Sequence, residues 1–331
     1  MGIRRIILII LVIALESTPS AMAAEKIRVQ LKWIHQAQFA GFYVAMDKGY
    51  YAKEDLDVVL IPNNGKTDLV SAITSGVADV AVLSPEDIII RRNQGIPIKA
   101  IAAIYRRSAV VYLSMPGSGI LRPQDFVGKT IASAGQQGSV RDFEFQLDAM
   151  IKTLGMDMAL IRNVPYDPEY KGFYNGSVDV TAAYATGGLI KVRQKGYAPN
   201  IIWPGDYKVR FYSDTLATTD QMVDRQSEKL FRFLRASLKG WQTAVGDPTG
   251  TIETIMKYAQ TKDRKIQTAM FEAMLPLVHT GEDMIGWMRP KDWHDMHQML
   301  AEQGLIDNPK DQVNQLFTMQ FLDRIKQEGL R

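Results

Sequence analysis

Two stretches of this chain repeat at an offset of 100 residues. "TDLVSAITSGVADVAVLSPEDIIIRRNQG" (67–95) aligns with "DPEYKGFYNGSVDVTAAYATGGLIKVRQKG" (167–196). Both carry Gly-x-x-Asp-Val, at Gly76–Val80 and Gly176–Val180. The glycine suits the left-handed residue that follows a helix. The chain then turns through Asp into a short apolar strand, "DVAVL" or "DVTAAY". A new helix opens at Ser84-Pro85-Glu86 in one copy and at Thr186-Gly187 in the other. The flanks repeat as well. "KIRVQLKW", "FAGFYVAMDKGYYAKE" and "LDVVLIP" read as strand, helix, strand, and so do "GKTIASAG", "VRDFEFQLDAMIKTLG" and "ALIRNVP". Each unit is therefore βαβαβα. The expected fold class is α/β: two lobes, each a mostly parallel sheet flanked by helices.

The repeat also sets expected boundaries. One lobe is 24–110 plus 215–331, and the other is 111–214. Connections near 106–117 and 206–219 would serve as a paired hinge. Residues 220–331 are helical in pattern. "EKLFRFLRASLKGWQTAV" and "PKDWHDMHQMLAEQGL" place apolar residues three and four apart, and Asp247-Pro248 opens a further helix.

Residues 1–23 are expected to be a secretory signal peptide. "MGIRR" is basic, "IILIILVIAL" is too short to span a membrane, and Ala21-x-Ala23 is a small-residue cleavage pattern. An uncleaved anchor is the alternative. The expected location is the periplasm, with no membrane insertion after cleavage. The chain has no Cys, which excludes thiol nucleophiles, iron–sulfur clusters and Cys-based zinc sites. A net charge of +3 without a polybasic run gives no footprint for nucleic acid.

Ligands of α/β sheets bind beyond the carboxyl ends of the strands. The segments there are Trp33–Phe39, Pro62–Gly65, Ser84–Asp87, Ala134–Ser139, Pro165–Asp167 and Tyr184–Gly188. They hold rings, amides and hydroxyls but few charges. Trp33 and Tyr184 occupy equivalent strand ends in opposite lobes and could clamp a flat ligand between their faces. The candidate ligand-binding residues are Trp33, Gln38, Phe39, Tyr43, Asn63, Ser84, Glu86, Gln136, Gln137, Gly138, Ser139, Tyr184 and Thr186. Glu86 or Asp87 would accept hydrogen bonds from a ring amine, or Glu86 would only complement a helix dipole. "GQQGS" (135–139) would meet an anionic or carbonyl group with helix N-terminal N–H donors. Trp33 has a competing role as a core anchor. Phe39, Phe42 and Tyr43 recur at helical spacing, and Tyr50 and Tyr51 read as packing residues. His294 and His297 share a helix face without a third ligand, so they are read as exposed and no metal or cofactor is expected. Asp125, Asp142, Glu144 and Asp148 read as a solvated face.

"LKW…QFAGFYVAMDKGYYAKEDLDV", "GVADVAV" and "IGWMRPKDWHDMHQMLAEQGLI" together resemble one family across the mature chain. That family holds the fungal thiamine-pyrimidine synthases and the bacterial binding proteins for thiamine-precursor pyrimidines. Riboflavin binders belong to it as well, and alkanesulfonate binders are distant cousins. The resemblance implies a periplasmic-binding-protein fold, type II-like, with a ligand closed between the lobes. It also implies stacking at Trp33 and polar contacts from Gln136–Ser139. The fungal synthases carry a Cys-rich motif and an active-site His, whereas this chain has no Cys and reads "VLSPEDI" at the matching segment. The expected function is thus not enzymatic. It is capture of a flat heterocycle, such as a pyrimidine or riboflavin, for the permease of an ABC importer, by a monomer. The alternatives are a synthase-like enzyme of thiamine biosynthesis and a periplasmic sensor lobe serving a signalling partner.

Overall fold

The computed structural model describes residues 24–135, 141–307 and 310–329. The signal-peptide expectation falls on residues outside that range. The described strands are β1 (Glu25–Gln30), β2 (Leu56–Ile61), β3 (Val80–Leu83), β4 (Ile98–Ala103), β5 (Val110–Ser114), β6 (Thr130–Ala134), β7 (Arg162–Pro165), β8 (Val180–Tyr184), β9 (Asn200–Ile202) and β10 (Thr215–Thr219). They form two five-stranded sheets, ordered β2-β1-β3-β10-β4 and β7-β6-β8-β5-β9.

The sheets match place for place. In each, the first three strands run parallel and the fourth position is antiparallel to its neighbours. That fourth strand has just crossed from the other lobe: β5 enters the second sheet and β10 returns to the first. The repeated motif has a common structural use. Gly76 and Gly176 both take positive φ. Asp79 Oδ2 accepts the backbone N–H of Arg28 at 2.7 Å, and Asp179 Oδ2 accepts that of Thr130 at 2.8 Å. Each Asp backbone N–H donates in turn to the carbonyl of the same residue. The motif therefore fastens the entry of the third strand of each unit to the first strand, with a two-way bond that a short acceptor side chain at this turn can make.

One expectation needs correction. The segments near 106–117 and 206–219 are not open connections throughout, because both contain strands at the heart of a sheet. β5 is buried along its whole length, as is most of β10. An apolar run such as "VVYLS" cannot stay at the surface and is taken up between β8 and β9. The crossovers proper are 104–109 and 203–214. They are tied together at one end: Ile104 N–H donates to Asp214 O and Ser213 N–H to Tyr105 O, both at 2.9 Å.

The C-terminal helices complete the first lobe. Helix Ser227–Gly246 crosses helix Ala40–Asp47 at two glycines. A Cβ on Gly41 would stand 2.2 Å from the Trp241 ring, and one on Gly240 would stand 2.2 Å from Gly41 O. Glycine is needed there for backbone contact. The crossing buries Phe42 and Trp241, with Phe39 and Tyr43 beside them. Helices Pro248–Tyr258 and Pro290–Glu302 follow, the first capped by Asp247, which accepts from Gly250 N–H. His297 is buried, not exposed, and burial, assisted by His294, lowers its pKa. No group of acids and histidines among the described residues is arranged for a metal. No described helix is long and apolar enough to cross a membrane.

Candidate functional site

The strand ends named in the sequence converge between the two sheets. From the first lobe come Lys32 and Trp33 after β1 and Ser84, Glu86 and Asp87 after β3, while Asp214 ends the returning crossover just before β10. Because β10 runs antiparallel, its entry lies at the same edge as the exits of its neighbours. The second lobe supplies Asp142 and Phe143 at the start of helix Asp142–Thr153, Gln146 one turn on, Tyr184 at the end of β8 and Thr186 just after it.

A buried polar network joins the lobes. Lys32 Nζ donates to Asp142 Oδ2 at 3.1 Å and to Ser84 Oγ at 3.2 Å. Tyr184 OH donates to the same Asp142 oxygen at 2.5 Å, a short, charge-assisted bond. Gln146 Nε2 donates to Glu86 Oε1 at 2.8 Å, and Ser108 Oγ holds the other end of that amide. Gln38 Nε2 donates to Asp214 Oδ2 at 2.7 Å. Two of these contacts, Lys32–Asp142 and Gln146–Glu86, run from lobe to lobe.

Rings wall this network. Tyr184 lies 4.7 Å from Phe143 between centroids, and Phe143 lies 4.9 Å from Tyr166. The Lys32 ammonium stands 5.2 Å from the centre of the Tyr184 ring, a cation–π distance. From the first lobe comes Trp33, half-buried and seated on the loop after β2. Gly65 has φ +85°, and a Cβ there would meet the Trp33 ring at 2.9 Å, so the loop passes under the indole only as glycine. A cavity of about 70 Å³ lies between these walls, lined among others by Lys32, Trp33, Gln38, Tyr184 and Thr186.

Electrostatics follow from burial. Burial pushes the Glu86 carboxyl up to about 8, with repulsion from Asp142 adding to it. Burial also raises Asp87 and Asp214. Burial opposes the Lys32 ammonium, but Asp142, Asp214 and Glu86 together outweigh it, and its pKa is raised. Lys32 is thus charged, and breaking its pair with Asp142 inside a closed cleft would be costly.

The candidate residues divide. Trp33, Gln38, Tyr184 and Thr186 line the cavity; Ser84 and Glu86 belong to the network behind it. Phe39 and Tyr43 are fully buried elsewhere: Tyr43 stacks on Tyr258 at 4.8 Å and its hydroxyl meets His35. The helical spacing of these rings marks core, and that correction removes them from the cleft. Asn63 folds its own loop, its Oδ1 accepting from Gly65 and Thr67 N–H, and does not line the cavity. Gln136, Gln137, Gly138 and Ser139 lie outside the described residues. Asp142 is 2% exposed and is not part of a solvated face. Asp148 is half-buried, and burial raises it to about 6. Sequence reasoning missed Lys32, Asp142, Gln146 and Asp214. The available signal was a lysine two residues beyond a strand, in "QLKW".

A larger hollow of about 1010 Å³ lies against the crossovers, lined in part by Arg106, Tyr212 and Arg289. Its principal charges are already matched: Arg106 and Arg289 both hold Asp283, and Tyr212 holds Asp292. The interlobe cleft, with rings, unmatched acceptors and strand ends, is the stronger site.

A family model described as "NMT1/THI5 like" matches residues 36–251. The riboflavin-binding protein RibY of Chloroflexus aurantiacus is 25% identical over 309 residues, covering 90% of this chain and 86% of that one. The formylaminopyrimidine-binding protein of Halalkalibacterium halodurans is 24% identical over 293 residues, covering 85% and 88%. A 4-amino-5-hydroxymethyl-2-methylpyrimidine phosphate synthase of Uromyces fabae is 24% identical over 321 residues, covering 91% and 89%. Among solved structures, the periplasmic sulfonate-binding protein SsuA of Methylobacillus flagellatus superimposes with a TM-score of 0.69 at 14% identity, covering 92% of this chain and 95% of that one. The fold is that of the periplasmic binding proteins.

Proposed function

We propose, from the premise that the chain belongs to the NMT1/THI5-like family, that it is an exported solute-binding protein which closes two lobes over a flat heterocycle and hands it to an ABC importer. The observation that carries this reading is the cleft: rings and hydrogen-bonding groups from opposite lobes meet across it, with Trp33 on one side and Tyr184 on the other. Relatives named for binding riboflavin and formylaminopyrimidine support a heterocycle as the solute.

The mechanism follows from size. A pocket for a small organic ligand usually measures about 300–1,000 Å³, and the cavity here is about 70 Å³. Entry therefore requires the lobes to part. We take the moving units to be 24–110 with 215–331 and 111–214, turning about the crossovers. Ligand that touches both lobes binds the closed form better and shifts the population toward it. Trp33 and Tyr184 would stack on its faces, while Gln38, Glu86 and Thr186 would meet its polar edge.

The synthase alternative draws on the fungal relatives. The absence of Cys and the absence of His from Val82–Ile88 argue against it. Residues 1–23 support export and a periplasmic location through their basic, apolar and small-residue pattern. The test is calorimetric titration with riboflavin and with formylaminopyrimidine, alongside mass spectrometry of whatever co-purifies. One site per chain for either compound, or a co-purifying heterocycle, is expected. No bound heterocycle in any of these measurements would sink the reading.

A further inference from the structure

The cleft has a lopsided charge. Lys32 is the buried ammonium at its centre, and Asp142, Asp214 and Glu86 all act on it. Asp87 is close enough to feel it too, with Arg91 on its outer side. Lys191 lines the cavity but is exposed. Four carboxyl groups therefore surround one buried cation. Two oxygens of this set, Glu86 Oε2 and Asp142 Oδ1, are buried without a hydrogen-bond partner among the described residues, in side chains that are 1% and 2% exposed by residue. An unmatched buried carboxylate oxygen such as Asp142 Oδ1 is costly and calls for a donor.

The surroundings of the Lys32 ammonium are those of a cation site. Asp142 lies on one side, Ser84 on another and the face of the Tyr184 ring on a third. The ammonium arrives there on a flexible four-carbon stem from the first lobe, while Asp142 and Tyr184 belong to the second. Parting the lobes necessarily withdraws it.

We infer that Lys32 stands in for part of the ligand: the cleft is built for a flat heterocycle bearing a positively charged nitrogen, which takes over Asp142 and the Tyr184 face as Lys32 moves aside. This rests on the solute-binding reading and narrows its ligand class. An N–H group of such a cation would satisfy the unmatched Oδ1 of Asp142. A neutral ring presenting carbonyl oxygens would set acceptors against acceptors.

The experiment uses three flat probes on the intact protein at neutral pH: 4-aminoquinaldine, which is protonated, its neutral two-ring counterpart 1-naphthylamine, and riboflavin. The cation is expected to bind at least about tenfold tighter than naphthylamine, a difference of about 1.4 kcal/mol. Lys32→Met, by removing the internal competitor, is expected to strengthen binding of the cation and widen that ratio. Asp142→Asn is expected to collapse the ratio. The wild-type comparison depends on no variant folding. Equal or tighter binding of naphthylamine or riboflavin overturns the inference and leaves the solute-binding function standing. So does a Lys32→Met variant that melts like the wild type but loses affinity for the cation. Failure of all three probes to bind overturns the inference, and failure of formylaminopyrimidine as well overturns the function with it.

Discussion

The molecule has two crowds of aromatic side chains, and they differ in what lies between the rings. In the first, Phe42 and Trp241 pack at a glycine-to-glycine helix crossing, with Phe39 and Tyr43 also fully buried in the same core. In the second, Phe143, Tyr166 and Tyr184 stand beside an ammonium and a carboxylate, and the Tyr184 hydroxyl donates a short hydrogen bond to Asp142. Ring count alone makes the first crowd look the better binding site. A buried ion pair between rings is what distinguishes the second, because charge is kept inside a protein only where something repays its desolvation.

Substitutions should separate the two regions. The largest effect is expected from Trp241→Ala, which empties the helix crossing and should cost about 3–5 kcal/mol of stability. Chemical denaturation checks the cost, and affinity per folded molecule should be unchanged. A large loss of affinity at unchanged stability would erase the distinction between the regions.

The next effect compares the lobes through their shared motif. Asp79 and Asp179 each hold a strand N–H, but Asp79 also takes the Arg28 guanidinium at 3.0 and 3.1 Å. Asp79→Ala should therefore cost about 1–3 kcal/mol, more than Asp179→Ala. Equal losses in melting experiments would show that the guanidinium contributes nothing.

Trp33→Ala should weaken heterocycle binding by more than tenfold, about 1.4 kcal/mol, and leave the melting temperature nearly unchanged. The reverse outcome, lower stability and unaltered affinity, would move Trp33 into the core.

The last expected effect is a pH dependence of stability. Glu86 sits near 8 in the closed cleft against an ordinary value of 4.5. A raised carboxyl favours the closed arrangement while protonated. Its contribution is complete below about 4.5 and lost as pH rises through about 8. The groups facing it are Asp142, Gln146 and Lys32. Thermal melts from pH 5 to about pH 9 should show this decline, and Glu86→Gln should flatten it. An identical slope in the variant would remove Glu86 from the account.

The two-lobed fold was legible because the repeat is written into the sequence twice, each copy with its helix-ending glycine and strand-fastening aspartate. The hinge was less legible. β5 and β10 look like linkers when read along the chain, and only pairing across the sheets makes them central strands. The lining of the candidate cleft was legible by half. Trp33 and Tyr184 follow from their strand ends, a local rule. Lys32–Asp142 joins residues 110 positions apart, and no local pattern pairs them. Asp142 alone reads as one more acid on a helix face. Phe39 and Tyr43 were misleading because helical spacing does not say which neighbour a face will meet.

Small-angle X-ray scattering at saturating and zero concentration of a bound heterocycle tests the central claim most directly. Closure of two lobes about the crossovers predicts a smaller radius of gyration on saturation, with the change absent in a variant that no longer binds. An unchanged radius at demonstrated saturation would contradict the account.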